Sequence, residues 1–220
     1  MMPKLIIFDL DGTINDSSPG ISYCYRRTAE TYGINDMTEE RLRTGLSGPF
    51  ETNISNILDL EDSEVPEAIR RYVEFYTAEG RYMCQLFPRV KETLEYLRNK
   101  GYLIGMATMM VDEYARDTLR KYGILGLFDT IHGASLTVPH TKEDLVRSCL
   151  DDAGVSPADA VLVGDGSDDH RAAVVSGTDF IAARYGYELD REYCERNSIR
   201  GIDSIDELTG LFRSVDDPET

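Results

Sequence analysis

The chain has 220 residues, 41% of them hydrophobic and 29% charged, with a formal net charge of −17. That length allows one large domain or two modest ones with a substantial core, and the composition excludes a disordered chain. The negative charge disfavours nucleic acid and acidic membrane surfaces as partners. The first apolar run, Leu5–Phe8, is too short for the core of a signal peptide, and no later run approaches the length of a bilayer span. The four cysteines, Cys24, Cys84, Cys149 and Cys194, are widely spaced and form no Cys-x-x-Cys pair. They read as reduced thiols of a cytoplasmic protein, and neither they nor the three histidines cluster as zinc ligands do.

Taken in chain order, Leu5-Ile6-Ile7-Phe8 is continuous and apolar, as a strand buried on both faces should be. Residues 15–82 then hold no continuous apolar strand. Ile21, Cys24, Tyr25, Thr28, Ala29 and Tyr32 share one helix face, Asp36 and Glu39 are placed to cap a second helix, and residues 65–82 predict a third. The tyrosines here (Tyr23, Tyr25, Tyr32, Tyr72, Tyr76 and Tyr82) read as helix packing. Beyond this segment, Val90, Leu94 and Leu97 predict a helix ending at Gly101, followed by a strand over 103–107. Asp112 is expected to cap a helix carrying Ala115, Leu119 and Tyr122 and ending at Gly123. A weaker strand comes next at 130–132. Leu145, Val146, Cys149 and Leu150 then form a helical stripe ending at Gly154, and further strands lie at 160–163 and 180–183. Ser204 and Glu207 have the spacing of a capping box for a last helix ending near Phe212. Strand–helix alternation of this kind predicts an α/β fold, a parallel sheet covered by helices. Its core is 1–14 plus 83–213, with an all-helical segment, 15–82, inserted after the first strand and an acidic tail at 214–220.

Ligands of open parallel sheets bind beyond the carboxyl ends of the strands. After the first strand comes Asp9-Leu10-Asp11-Gly12-Thr13, and after the second comes Thr108. Lys142 precedes the third helix of the core, and Gly164-Asp165-Gly166-Ser167-Asp168-Asp169 comes after the strand at 160–163. Several carboxylates, one hydroxyl and one ammonium therefore converge on one edge. Clustered carboxylates repel and call for a cation, and carboxylate, carbonyl and water oxygens are the ligands Mg²⁺ prefers. A cation with Lys142 would also let a dianionic phosphate approach, with Thr108 supplying a hydrogen bond.

Phe8-Asp9-Leu10-Asp11-Gly12-Thr13, Thr108, Lys142 and Gly164-Asp165-x-x-x-Asp169 together resemble, in order, the four motifs of the haloacid dehalogenase superfamily. The resemblance is to its phosphatases with a helical cap after the first motif, similar to phosphoglycolate phosphatase, and spans about residues 3–213. It implies a Rossmann-like core and a phosphomonoester hydrolase. Asp9 would be the nucleophile that becomes an aspartyl-phosphate, and Asp11 the general acid and base. Mg²⁺ would be held by Asp9, the Asp11 carbonyl and Asp165, while Thr108 and Lys142 hold phosphoryl oxygens. Thr13 and Asp169 would support the site, with Asp168 a rival to Asp169. The loop over 45–50, containing Gly48, resembles the specificity loop of these phosphatases. Since residues 5–90 contain no lysine, cap recognition of a second anionic group falls to arginines such as Arg41 and Arg43.

Three departures from the family pattern bear on substrate: Met109-Met110 after Thr108, Glu143 after Lys142, and adjacent Asp168 and Asp169. The expected partner is a small phosphoester, 2-phosphoglycolate as first guess, acted on by a monomer or weak homodimer. A 5′-nucleotidase, a pyrophosphatase or a sugar phosphomutase stays open on the same scaffold. A phospho-accepting signalling domain is the reading from a different class. A capped site would also have to open and close, with hinges near 14–18 and 80–86.

Overall fold

The computed structural model describes residues 2–212, so the tail over 214–220 lies outside the described residues. In chain order the elements are β1 (Leu5–Phe8), β2 (Asn15–Asp16), α1 (Ser18–Thr31), α2 (Glu39–Arg43), α3 (Phe50–Leu58), α4 (Val65–Ala78), β3 (Gln85–Leu86), α5 (Val90–Asn99) and β4 (Leu103–Val111). Next come α6 (Asp112–Lys121), β5 (Thr130–Ala134), α7 (Lys142–Ala153), β6 (Ala160–Gly164), α8 (Ser167–Ser176), β7 (Asp179–Ala183), α9 (Arg191–Asn197), β8 (Arg200–Ile202) and α10 (Glu207–Leu211). Two compact units result. One comprises the chain up to Ile14 and from Leu86 onward, the other Asn15–Gln85.

The first unit is the α/β fold expected from the strand–helix alternation. Six parallel strands lie in the order β5-β4-β1-β6-β7-β8. β1 is central and hydrogen-bonded on both sides, which is why all four of its residues are apolar and fully buried. Its side chains alternate between two cores. Ile6 and Phe8 pack with Val90, Leu94 and Leu97 of α5, and Leu5 and Ile7 with Leu145, Val146 and Cys149 of α7. Each such side chain contributes about 1.5–3 kcal/mol by burial. The chain leaves β1 toward β4 and β5 on one side and returns to β6, β7 and β8 on the other. This places the reversal of strand order beside the carboxyl end of β1.

The second unit packs α1–α4 around Tyr25, Leu42, Ile54, Ile57, Leu58 and Tyr72. Tyr72 meets Tyr25 at 4.9 Å and Phe50 at 4.7 Å between ring centroids. Gly20 lies so close to the Gly80 backbone that a Cβ there would sit 2.1 Å from the Gly80 carbonyl oxygen. The tyrosines are not uniformly packing residues, because Tyr82 is exposed, with the Arg81 guanidinium 4.5 Å from its ring centroid.

Several details depart from the expected elements. The insert is not wholly helical: β2 and β3 form a two-stranded sheet where the chain leaves and rejoins the core unit, so the rejoining point falls after Gln85. The segment over 45–50 leads directly into α3. Thr38, not Asp36, caps α2 by accepting the Arg41 N–H. Asp112 does not cap α6 but is its first residue; its carboxylate accepts from Arg116 at 2.7 Å and from the Gly133 N–H at 3.0 Å. The Ser204 capping box is also absent. α10 begins after Asp206, and the Glu207 carboxylate turns back to the Asp203 N–H at 2.9 Å.

Candidate active site

The site sits at the carboxyl ends of β1, β4 and β6. Asp9 extends β1 by one residue, its N–H donating to the Val163 carbonyl at 2.9 Å, and its side chain is buried. Leu10 returns to the core, and Gly12 turns the chain with φ +82°, a conformation that disfavours any side chain. The turn is also spatially tight, since a Cβ on Gly12 would lie 2.1 Å from Asp165 Oδ2. Thr108 ends the regular part of β4 beside an irregularity in its pairing with β5. Its buried Oγ1 accepts the Met110 N–H at 3.1 Å. Lys142 is the first residue of α7, set by a capping box between Thr141 and Asp144.

Asp165 and Asp169 lie beyond the end of β6. Asp169 accepts the Gly166 N–H at 3.1 Å, and a Cβ on Gly164 would lie 2.4 Å from the Asp169 carboxylate. Both Asp165 oxygens are held. Oδ1 accepts from the Thr13 hydroxyl at 3.1 Å, and Oδ2 from the Tyr187 N–H at 2.8 Å.

Carboxylate oxygens of Asp9, Asp165 and Asp169 lie within 4.8 Å of one another, all three residues buried. The Lys142 ammonium enters this cluster, 2.5 Å from Asp9 Oδ1 and 2.7 Å from Asp169 Oδ1. Burial works against the Lys142 charge, but Asp169 and Asp9 outweigh it and hold the ammonium above the usual lysine range. Burial pushes Asp9 up to about 7; Lys142 opposes the rise, and Asp169 and Asp11 add to it. Asp165 is raised well above the usual carboxylate range by burial first, then by the Asp9 and Asp169 charges. Three buried carboxylates facing one ammonium remain under-compensated. An all-oxygen donor set of this charge fits a hard divalent cation such as Mg²⁺.

Of the residues singled out from the sequence, Asp9, Asp165 and Asp169 lie together and Lys142 pairs with Asp9 and Asp169, with Thr13 hydrogen-bonded to Asp165 and Asp11 near enough to act on the Asp9 charge. Asp168 is not in this cluster: it is exposed on α8 and pairs with Arg171 at 2.6 Å, whereas Asp169 lies among the buried carboxylates. Arg41, Arg43 and Gly48 belong to the helical unit. Both arginines lack an ion pair among the described residues, whereas Arg26, Arg27, Arg70 and Arg71 of that unit are each paired with a glutamate. Of the histidines, His132 pairs with Asp152 at 2.9 Å and His170 with the Tyr193 hydroxyl at 3.1 Å.

Sequence reasoning missed the segment after β7, Tyr185-Gly186-Tyr187, which closes on Asp165. The signal that points to the other groups, a position just beyond the carboxyl end of a strand, holds equally for this segment after the 180–183 run.

Residues 6–183 match the family described as haloacid dehalogenase-like hydrolase, and the chain belongs to that family. It is 34% identical over 186 residues to the tyrosine-protein kinase PtkA of Mycobacterium tuberculosis (84% of this chain, 63% of the relative). The chain thus spans under two thirds of that relative's length. It is 28% identical to a 5′-nucleotidase of Pseudomonas aeruginosa, covering 85% of each chain. It is also 28% identical to a phosphoglycolate phosphatase of Vibrio vulnificus, over 84% of this chain and 85% of the relative. Among solved structures, a haloacid dehalogenase-like hydrolase from Streptococcus pneumoniae superposes with a TM-score of 0.87 at 28% identity, covering 96% of this chain and 99% of the other.

Proposed function

We propose that this chain is a Mg²⁺-dependent phosphomonoester hydrolase acting through an aspartyl-phosphate at Asp9. The observation that carries the reading is the buried cluster of Asp9, Asp165 and Asp169 around Lys142 at the carboxyl edge of the sheet. Asp9, the Asp11 carbonyl and Asp165 would hold the cation, which when bound supplies positive charge against the carboxylates and the phosphate. The Asp9 carboxylate attacks phosphorus, a P–O bond to Asp9 forms, and the bond to the leaving oxygen breaks. Asp11 gives that oxygen its proton, then takes one from the water that attacks the phosphorus of the acyl phosphate. Inorganic phosphate leaves and Asp9 is restored. Thr108 and Lys142 orient the phosphoryl oxygens and stabilise their charge. Asp169 positions Lys142.

For substrate we propose a small phosphorylated metabolite, with 2-phosphoglycolate the first to test. Arg41, Arg43 and the turn at Gly48 are the candidates for reading its second anionic group. The second reading, a nucleoside monophosphate substrate, is favoured by the match to a 5′-nucleotidase. The likeness to a protein named as a tyrosine kinase puts phosphotyrosine in the same panel.

Phosphate release from 2-phosphoglycolate, nucleoside monophosphates, sugar phosphates, pyrophosphate and phosphotyrosine tests this, with Mg²⁺ or with chelator. Chelator-sensitive release that Asp11→Asn lowers by about 10²–10⁴-fold is expected. Isomerised phosphosugar in place of free phosphate would indicate a mutase, and no turnover of any compound by folded protein would sink the hydrolase reading.

A further inference from the structure

Beyond the residues that would touch cation or phosphate, the segment after β7 makes a set of contacts on Asp165 and on the loop that follows β1. Gly186 packs against Asp165 so closely that a Cβ there would lie 2.3 Å from Asp165 Cβ and 2.4 Å from the Gly12 carbonyl oxygen. Tyr187 donates its N–H to Asp165 Oδ2, and Leu189 donates its N–H to the Asp165 carbonyl at 2.9 Å. Opposite Oδ2, Oδ1 is held by the Thr13 hydroxyl, and Thr13 is fully buried. Thr13 is in turn held from the same segment, because the Tyr185 hydroxyl donates to its carbonyl oxygen at 2.9 Å. The Tyr185 ring packs edge-on against Phe87 at 5.1 Å, fixing where its hydroxyl points.

We infer that Tyr185 is a positioning residue for the cation site: through Thr13 it sets the orientation of the Asp165 carboxylate. An aspartate has two side-chain torsions, and a ligand oxygen misplaced by a fraction of an ångström binds Mg²⁺ poorly because that ion demands near-octahedral geometry. Hydrogen bonds to both oxygens remove that freedom, and partners of this kind are typically worth about 10–100-fold in metal affinity. The relay is directional. The Tyr185 hydroxyl reaches the backbone of Thr13, and the hydroxyl of Thr13 reaches the carboxylate. The inference rests on the reading of Asp165 as a cation ligand.

Calorimetric titration of the full chain with Mg²⁺ tests it, using wild type, Asp165→Asn, Tyr185→Phe, Thr13→Val and the double variant Tyr185→Phe/Thr13→Val, with thermal melts alongside. Tyr185→Phe keeps the ring on Phe87 and deletes one hydroxyl, so a melt near wild type and Mg²⁺ binding weakened about tenfold are expected. Thr13→Val should weaken binding at least as much, and Tyr185→Phe should add nothing further in that background, since both act through one path. Unchanged Mg²⁺ affinity in Tyr185→Phe, with wild type binding and Asp165→Asn not binding, overturns the inference and leaves the cation reading standing. An equal loss from Tyr185→Phe with or without the Thr13 hydroxyl also overturns it. Wild type that binds no Mg²⁺ overturns the cation reading and this inference together.

Discussion

The Lys142 ammonium is the only positive charge of the described residues placed among the Asp9, Asp165 and Asp169 carboxylates. Removing one member of a buried charge set leaves the others unpaired, at a cost of about 3–5 kcal/mol. Lys142→Met should therefore lower stability in urea by about that amount, and added Mg²⁺ should recover part of it. The neighbouring acids provide a contrast. Asp168→Asn should change stability by less than about 0.5 kcal/mol, because Asp168 is solvated and its ion pair, with Arg171, is exposed. Asp169→Asn should lower turnover by at least tenfold, and equal effects of the two would count against the assignment. The raised Asp9 value sets a pH dependence. Burial lifts its carboxyl to about 7 in the folded chain, against about 3.9 unfolded. Between these values the folded state binds the extra proton, so without divalent cation stability should fall as pH rises from about 4 to about 7. Melting temperatures in chelator across that range check this; a rise toward pH 7 would contradict it.

At the scale of elements, what was legible in the sequence depended on how local the cause is. Four consecutive apolar residues made β1 readable because a central strand buries both faces. The Asp11-Gly12 turn was readable as a turn, but its reason for needing glycine, the Asp165 carboxylate packed against it, is 153 residues away and could not be seen from one strand. Gly12→Ala should accordingly do more than strain a turn. It should displace Asp165 and abolish Mg²⁺ binding; binding retained at wild-type strength would refute that. Capping at α6 and α10 departs from the sequence expectation for a related reason. Asp112 has a competing guanidinium at Arg116 and a neighbouring-strand N–H at Gly133, and Glu207 reaches Asp203 without using Ser204. The Tyr185–Tyr187 segment was missed because its role appears only when β7 is placed beside β6 and its turn falls over Asp165.

For the whole molecule, the cluster that would do the chemistry lies entirely within the α/β unit, while Arg41 and Arg43, without an ion pair among the described residues, lie in the helical one. This division predicts separable effects. Arg41→Ala or Arg43→Ala should lower kcat/KM for 2-phosphoglycolate more than for an ester with an uncharged leaving group. Core substitutions should lower both alike. Equal losses in all four cases would remove the arginines from substrate recognition. The proposed reaction passes through covalent phosphorylation of Asp9. Its most direct test is to quench the protein during turnover of its best substrate with Mg²⁺, reduce with borohydride and analyse the peptides by mass spectrometry. An acyl phosphate at Asp9 predicts homoserine at position 9, absent with chelator. Phosphate released at full rate with Asp9 unmodified, and undiminished in Asp9→Asn, would contradict it.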